Sequence, residues 1–171
     1  MKTREEIVEI VELLARNEQA LADLYTSYSE KFPDFKLWTF LRKEEEDHFH
    51  LVISIKDNVE DGSVDFSDMH FSVKTITMAI EQVLNELKIV ENGGRTLGKA
   101  IKFALKLESS MLEKNFLNYF SSDDPELEKV LVQLRTDTKS HQNILEKALD
   151  EYLKEKEYNS FENIVKRINN E

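Results

Sequence analysis

The residues best placed to do chemistry are Glu45 and His48, three apart in the run Glu44-Glu45-Glu46-Asp47-His48. On a helix that spacing puts a carboxylate oxygen and an imidazole nitrogen on the same side, as a bound metal ion needs. Trp38, Leu41, Glu45, His48, Val52, Ile55 and Val59 follow one another in alternating steps of three and four, so they share one helix face. That face is apolar except at its centre. A charge in an apolar stripe costs several kcal/mol unless something pairs with it. Taken alone, Glu-x-x-His is equally the mark of an ion pair, or of chance on a charged helix.

Other stretches repeat the pattern. Thr3 is an N-cap, with Glu5 and Glu6 in the first turn. A first helix runs to about Glu30 with the stripe Ile7, Val11, Leu14, Glu18, Leu21, Tyr25, Tyr28, and Glu18 sits at mid-stripe. Pro33-Asp34 turns the chain tightly, so a second helix over about 35–60 packs antiparallel to the first. A third main helix, from near Thr96 to about Phe120, carries Leu97, Ile101, Ala104, Glu108, Met111 or Leu112, Phe116 and Tyr119. Pro125 opens a fourth, to about Glu157, with Leu127, Leu131, Leu134, Thr138, His141, Leu145, Ala148 and Tyr152. The polar interruptions Glu18, Glu45 with His48, Glu108, and Thr138 with His141 all fall near mid-length. Antiparallel helices bring mid-length positions into one layer.

Between the second and third main helices lies a long connection, about 61–95. It holds a helix over about 74–91 whose face, Ile76, Ile80, Val83, Leu87 and Val90, has no ionisable residue at its centre. Asn92-Gly93-Gly94 ends that helix with a left-handed cap. The fold expected is all-α: a ferritin-like antiparallel four-helix bundle over residues 1–157, with a helix-containing crossover between main helices 2 and 3. A C-terminal tail, 158–171, has Phe161, Ile164, Val165 and Ile168 at helical spacing, as a short docking helix or an exchange element between subunits.

Composition agrees with the helical reading. Of 171 residues 33% are charged, with only 4 Gly and 2 Pro. A net charge of −11 argues against nucleic acid or an anionic membrane as partner. With no cysteine there are no thiolate ligands and no disulfides. The N-terminus runs into an amphipathic helix rather than a signal-peptide core, and no stretch is apolar enough to span a membrane, so a cytoplasmic location is expected.

The pattern resembles the rubrerythrin-like branch of the ferritin-like superfamily, in which two helices each give one Glu and the other two each give a Glu-x-x-His. Asn17-Glu18 with Tyr25, Leu37-Trp38 before Glu44-Glu45-Glu46-Asp47-His48, Phe103-Ala104-Leu105-Lys106-Leu107-Glu108, and Asp124-Pro125-Glu126-Leu127 leading to His141 carry the likeness. The resemblance implies that Glu18, Glu45, His48, Glu108 and His141 are metal ligands, with Glu45 bridging two metals and Tyr25 donating a hydrogen bond behind them. It also implies iron in two positions, manganese and zinc being the competitors. The implied activity is a di-metal oxidoreductase that reduces peroxide or oxidises ferrous iron. Three departures matter. Thr138 stands where the family has a second bridging Glu, Met111 stands where it has an extra Glu, and no rubredoxin domain follows. The electron donor would then be a separate protein, and the chain a homodimer or higher homo-oligomer.

Three carboxylates against two divalent cations leave a charge of +1, so the second position should bind more weakly. Carboxylates converging in a water-poor core should have raised pKa values. Glu44 and Asp137 lie about 100° from the stripes and are expected in solvent, each able to swing in as a substitute ligand. His50 is expected at the surface, and His70 has no assigned role. The alternative function is a metal-binding or structural bundle with an incomplete site and little turnover.

Overall fold

Thr3 starts the first helix as expected. Its hydroxyl accepts the Glu6 N–H at 3.2 Å, and its own N–H donates to the Glu6 carboxylate at 2.7 Å, a reciprocal cap. In the computed structural model, which describes residues 2–63, 65–66, 72–110 and 120–168 and only the backbone at 65–66 and 158–168, this helix is α1 (Arg4–Lys31). The others are α2 (Leu37–Asp61), α3 (Val73–Glu91), α4 (Leu97–Glu108) and α5 (Pro125–Ile168). Two short extended pieces, β1 (Asp65–Phe66) and β2 (Phe120–Ser121), pair antiparallel, Asp65 with Ser121 and Phe66 with Phe120.

The turn at 32–36 folds α2 back along α1. Polar contacts mark the antiparallel register: Arg4 donates a hydrogen bond to the Glu60 backbone carbonyl, and Lys56 pairs with Glu12 at 2.8 Å. α3 packs on α1, α4 packs on α5, and α2 approaches α5. Apart from the short β1–β2 pairing, the described residues form a helical bundle.

Apolar side chains form two clusters rather than one. The first joins Ile7, Ile10, Val11 and Leu14 of α1 to Val52, Ile55 and Val59 of α2, with Ile76, Phe120, Leu131 and Leu134. The second joins Leu21, Leu24, Tyr25 and Tyr28 to Trp38 and Leu41, with Val83, Val90, Ile101, Ala104 and Leu145. Trp38 is its hub, with ring centroids 5.8 Å from Tyr25, 4.7 Å from Tyr28 and 5.3 Å from Phe35. In sequence, Glu18, Glu45, His48 and His141 fall between the parts that each helix gives to the two clusters.

Two elements differ from expectation. α4 ends at Glu108, and the expected continuation over 111–119 lies outside the described residues. Ser109 N–H bonds Leu105 O at 3.0 Å, and Ser110 N–H tightens onto Leu107 O at 2.8 Å. Serine hydroxyls compete for backbone groups and favour such ends. Phe120 is in β2. Met111, Leu112, Phe116 and Tyr119, with His70, lie outside the described residues. The fourth helix, in contrast, does not stop near Glu157. It runs unbroken for 44 residues, about 66 Å at 1.5 Å per residue, through most of the expected tail. Leu153 to Glu157 are exposed.

The other turn signals hold. Gly93, at φ 78°, caps α3 in the left-handed region, and Gly94 N–H reaches Ile89 O at 2.9 Å. Gly98 lets α4 lie against α5, for a Cβ there would collide with the Tyr152 ring.

Candidate metal centre

The buried residues of α2 are Trp38, Leu41, Glu45, His48, Val52, Ile55 and Val59, the seven of the stripe and no others. The amphipathic period therefore decides which way Glu45 and His48 point. His141 is carried in on α5 and is 1% exposed, with Glu45 at 2% and His48 at 5%. Ligand atoms of Glu45, His48 and His141 all lie within 4.8 Å of one another.

Glu45 is the centre of the group. Its Oε2 is 3.0 Å from His48 Nδ1 and its Oε1 is 3.1 Å from His141 Nδ1. The second approach is too bent to make a well-formed hydrogen bond, and Glu45 Oε1 and both Nε2 atoms are buried without hydrogen-bond partners. The two imidazoles stack, centroids 5.3 Å apart at 28°. Glu108, the last residue of α4, puts Oε2 3.7 Å from His141 Nδ1 and accepts the Tyr25 hydroxyl on Oε1 at 2.7 Å.

Electrostatics follow from those contacts. Burial pushes the Glu45 carboxyl up, but the His141 and His48 imidazoles outweigh it and hold Glu45 well below the usual carboxylate range. The expectation of a raised value is therefore wrong for Glu45, because two potential cations flank it. It holds for Glu108, which burial and the Glu45 charge push up. Burial pulls His141 down, yet Glu108 and Glu45 raise it to about 11. His48, also opposed by burial, is raised by Glu45.

The remaining candidates divide. Glu18 is buried on α1, 5% exposed, but is not a member of the three-residue group. Thr138 is half-buried and turns its hydroxyl to its own helix, donating to Leu134 O at 3.1 Å. His50 is exposed. Glu44 and Asp137 correct the expectation that they stand in solvent. Their side chains are 29% and 19% exposed, with carboxylates 3.9 Å from His141 Nε2 and 3.7 Å from His48 Nε2. A position about 100° off the stripe is open only where no neighbouring helix flanks it, and here α2 and α5 flank each other.

Glu86 was not foreseen. It is 1% exposed on α3, accepts the Tyr28 hydroxyl at 2.7 Å, and is held by Nε and Nη2 of Arg95. Burial, then Glu86, push the Tyr28 phenol up. The spacing Val83, Glu86, Val90 is helical, so the sequence carried the signal. Leu87, the next residue and apolar, fits the same helical spacing and hides it.

No helix among the described residues is long and apolar enough to cross a membrane. Comparison of the chain with protein-family models, with curated proteins and with solved structures finds no match.

Proposed function

We propose that this protein binds a divalent transition metal, iron first, in the polar layer of a ferritin-like bundle, and that the loaded form is a rubrerythrin-like oxidoreductase. Its substrate would be peroxide or ferrous iron, with electrons from a separate donor protein. The observation that carries the reading is the convergence of one carboxylate and two imidazoles, from helices far apart in sequence, at a place sealed from water. Two nitrogens and a carboxylate suit iron, manganese or zinc. Glu45 Oε1 is a buried acceptor without a hydrogen-bond partner, facing the His141 ring, and a cation between them would satisfy it.

Glu45, His48 and His141 would be the primary ligands, and Glu108 the fourth donor. Tyr25 holds Glu108 by its 2.7 Å bond, fixing the carboxylate that faces His141. The two apolar clusters exclude water on either side. When bound, iron would supply one-electron steps between its ferrous and ferric forms. Glu18 would extend the site toward a second metal, and Thr138, neutral and bonded to Leu134, would leave that second position weaker. The pairing of α1 with α2 and of α4 with α5, with α3 between the pairs in sequence, supports the ferritin-like frame and its crossover.

A second reading is a metal-free ion-pair cluster that only stabilises the bundle. The direct contacts of Glu45 with both imidazoles favour it. Elemental analysis of protein purified without added metal separates the two readings. Under the metal reading, Glu45→Ala or His48→Ala lowers bound metal by about tenfold or more, since even supporting residues cost 10–100-fold. Unchanged stoichiometry in both variants refutes it. Peroxide consumption with a supplied reductant then separates an enzyme from a simple metal binder.

A further inference from the structure

We propose that Glu44 and Asp137 are positioning residues, each holding from behind the imidazole carried by the opposite helix. The proposal rests on the metal-site reading above. On α2, Glu44 lies one turn before His48, and on α5, Asp137 lies one turn before His141. Their contacts cross over. His48 Nε2 faces Asp137 Oδ2 at 3.7 Å, and His141 Nε2 faces Glu44 Oε2 at 3.9 Å.

The two nitrogens of each ring therefore look in opposite directions. Both Nδ1 atoms are turned to Glu45, and both Nε2 atoms are buried, without hydrogen-bond partners, toward the outer carboxylates. A metal on Nδ1 leaves Nε2–H as the ring's only donor. Ligating imidazoles give that N–H to a carboxylate, carbonyl or water, which fixes tautomer and ring orientation and makes the other nitrogen a better donor. Asp137 is already oriented for the task, because Gln133 donates to its Oδ1 at 2.7 Å and leaves Oδ2 to His48. At 3.7 and 3.9 Å the contacts are too long to be hydrogen bonds now, and catalytic or binding contacts of this kind tighten on loading. Because each acceptor sits on the other helix, the pair also straps α2 to α5 across the site.

The test is cobalt(II) titration of wild type, Glu44→Leu, Asp137→Leu, Glu44→Gln and Asp137→Asn, followed by visible absorption. The leucine variants should weaken cobalt by about 10–100-fold with band positions unchanged. The amide variants, which keep an acceptor oxygen, should recover most of that loss. In zinc-loaded protein, imidazole NMR should show an Nε2–H signal for both histidines. Glu44→Leu should then lose the His141 signal and Asp137→Leu the His48 signal. Alanine replaces leucine wherever the metal-free leucine variant loses helical circular dichroism.

Affinities within twofold of wild type overturn the proposal. Shifted absorption bands overturn it by making the carboxylates ligands. Failure of the amides to rescue, or loss of the signal on the same helix, assigns a merely structural role and overturns it too. If wild type binds no cobalt, the metal-site reading itself falls, and this inference with it.

Discussion

Zinc added at pH 6 should expel close to two protons per metal from the imidazoles alone. Burial lowers both histidines, but their carboxylate neighbours prevail: His141 is pushed up to about 11 and His48 above its ordinary 6.5. Both rings are therefore cationic at pH 6 in the metal-free protein. A metal takes the ring lone pair, so each ring must give up one proton. Glu108, raised by burial and by Glu45, adds up to one more. Charge balance agrees: one carboxylate and two imidazolium rings carry +1, whereas a divalent metal with Glu45 and Glu108 ionised is neutral. Two released protons make apparent affinity climb about 100-fold per pH unit, about 2.7 kcal/mol. Above the pKa of His48 the slope should fall toward tenfold per unit, because His141 stays charged to about 11. Calorimetry in buffers of different protonation enthalpy counts the protons directly. A count near zero at pH 6, in protein that nevertheless binds zinc, would refute either the cationic imidazoles or their role as ligands.

Thr138→Glu should raise the ratio of bound metal to protein, because it adds a carboxylate one turn before His141. Elemental analysis reads the ratio, and no change in it would sink the uneven-site reading. Tyr25→Phe should cost about 1–3 kcal/mol in urea unfolding, because Glu108 Oε1 loses its buried donor. Arg95→Ala should cost about 3 kcal/mol by leaving Glu86 buried without its cation. Glu86→Leu with Arg95→Leu together should cost less than Arg95→Ala alone, and the reverse order would contradict the pairing. In metal-free protein the raised His141 adds stability in full below about pH 6.5, its ordinary value, and this is lost as pH rises through about 11. The lowered Glu45 adds stability above about pH 4.5 that is lost as pH falls through its lowered value, and the raised Glu108 acts in the opposite sense to Glu45. Melting temperatures from pH 7 to 10 should therefore decline less steeply in His141→Gln than in wild type.

Where one helix face settles burial, the sequence was a reliable guide. All seven stripe residues of α2 are buried because α1 covers that face along its length. The Thr3 cap and the Gly93 turn were also readable, since both are set by a few adjacent residues. What escaped depended on neighbours far along the chain. Glu86 reads as a surface residue until Tyr28 and Arg95 are brought to it. Glu44 and Asp137 read as solvated until two helices 93 positions apart are laid side by side. The sign of the Glu45 shift turned on how near the imidazoles come, which spacing along one helix does not report. The end of α4 at Glu108 is a local backbone turn at Ser109 and Ser110 that a periodic pattern simply runs through.

The separation of the apolar side chains into two clusters bears on how the chain comes apart. A continuous core transmits loss of packing from one end to the other, and domains with one core tend to open all at once. Here the middle of the bundle holds ionisable groups in place of apolar side chains. Metal-free protein thus has a built-in seam. The Trp38 half, locked by Tyr28, Glu86 and Arg95, and the Ile7 half, tied by the Thr3 cap and the β1–β2 pairing, can open separately. Amide exchange should sort the backbone into two protection classes that divide near Glu18 on α1 and His48 on α2. A cation that fills the layer would join the halves, merging the two classes into one.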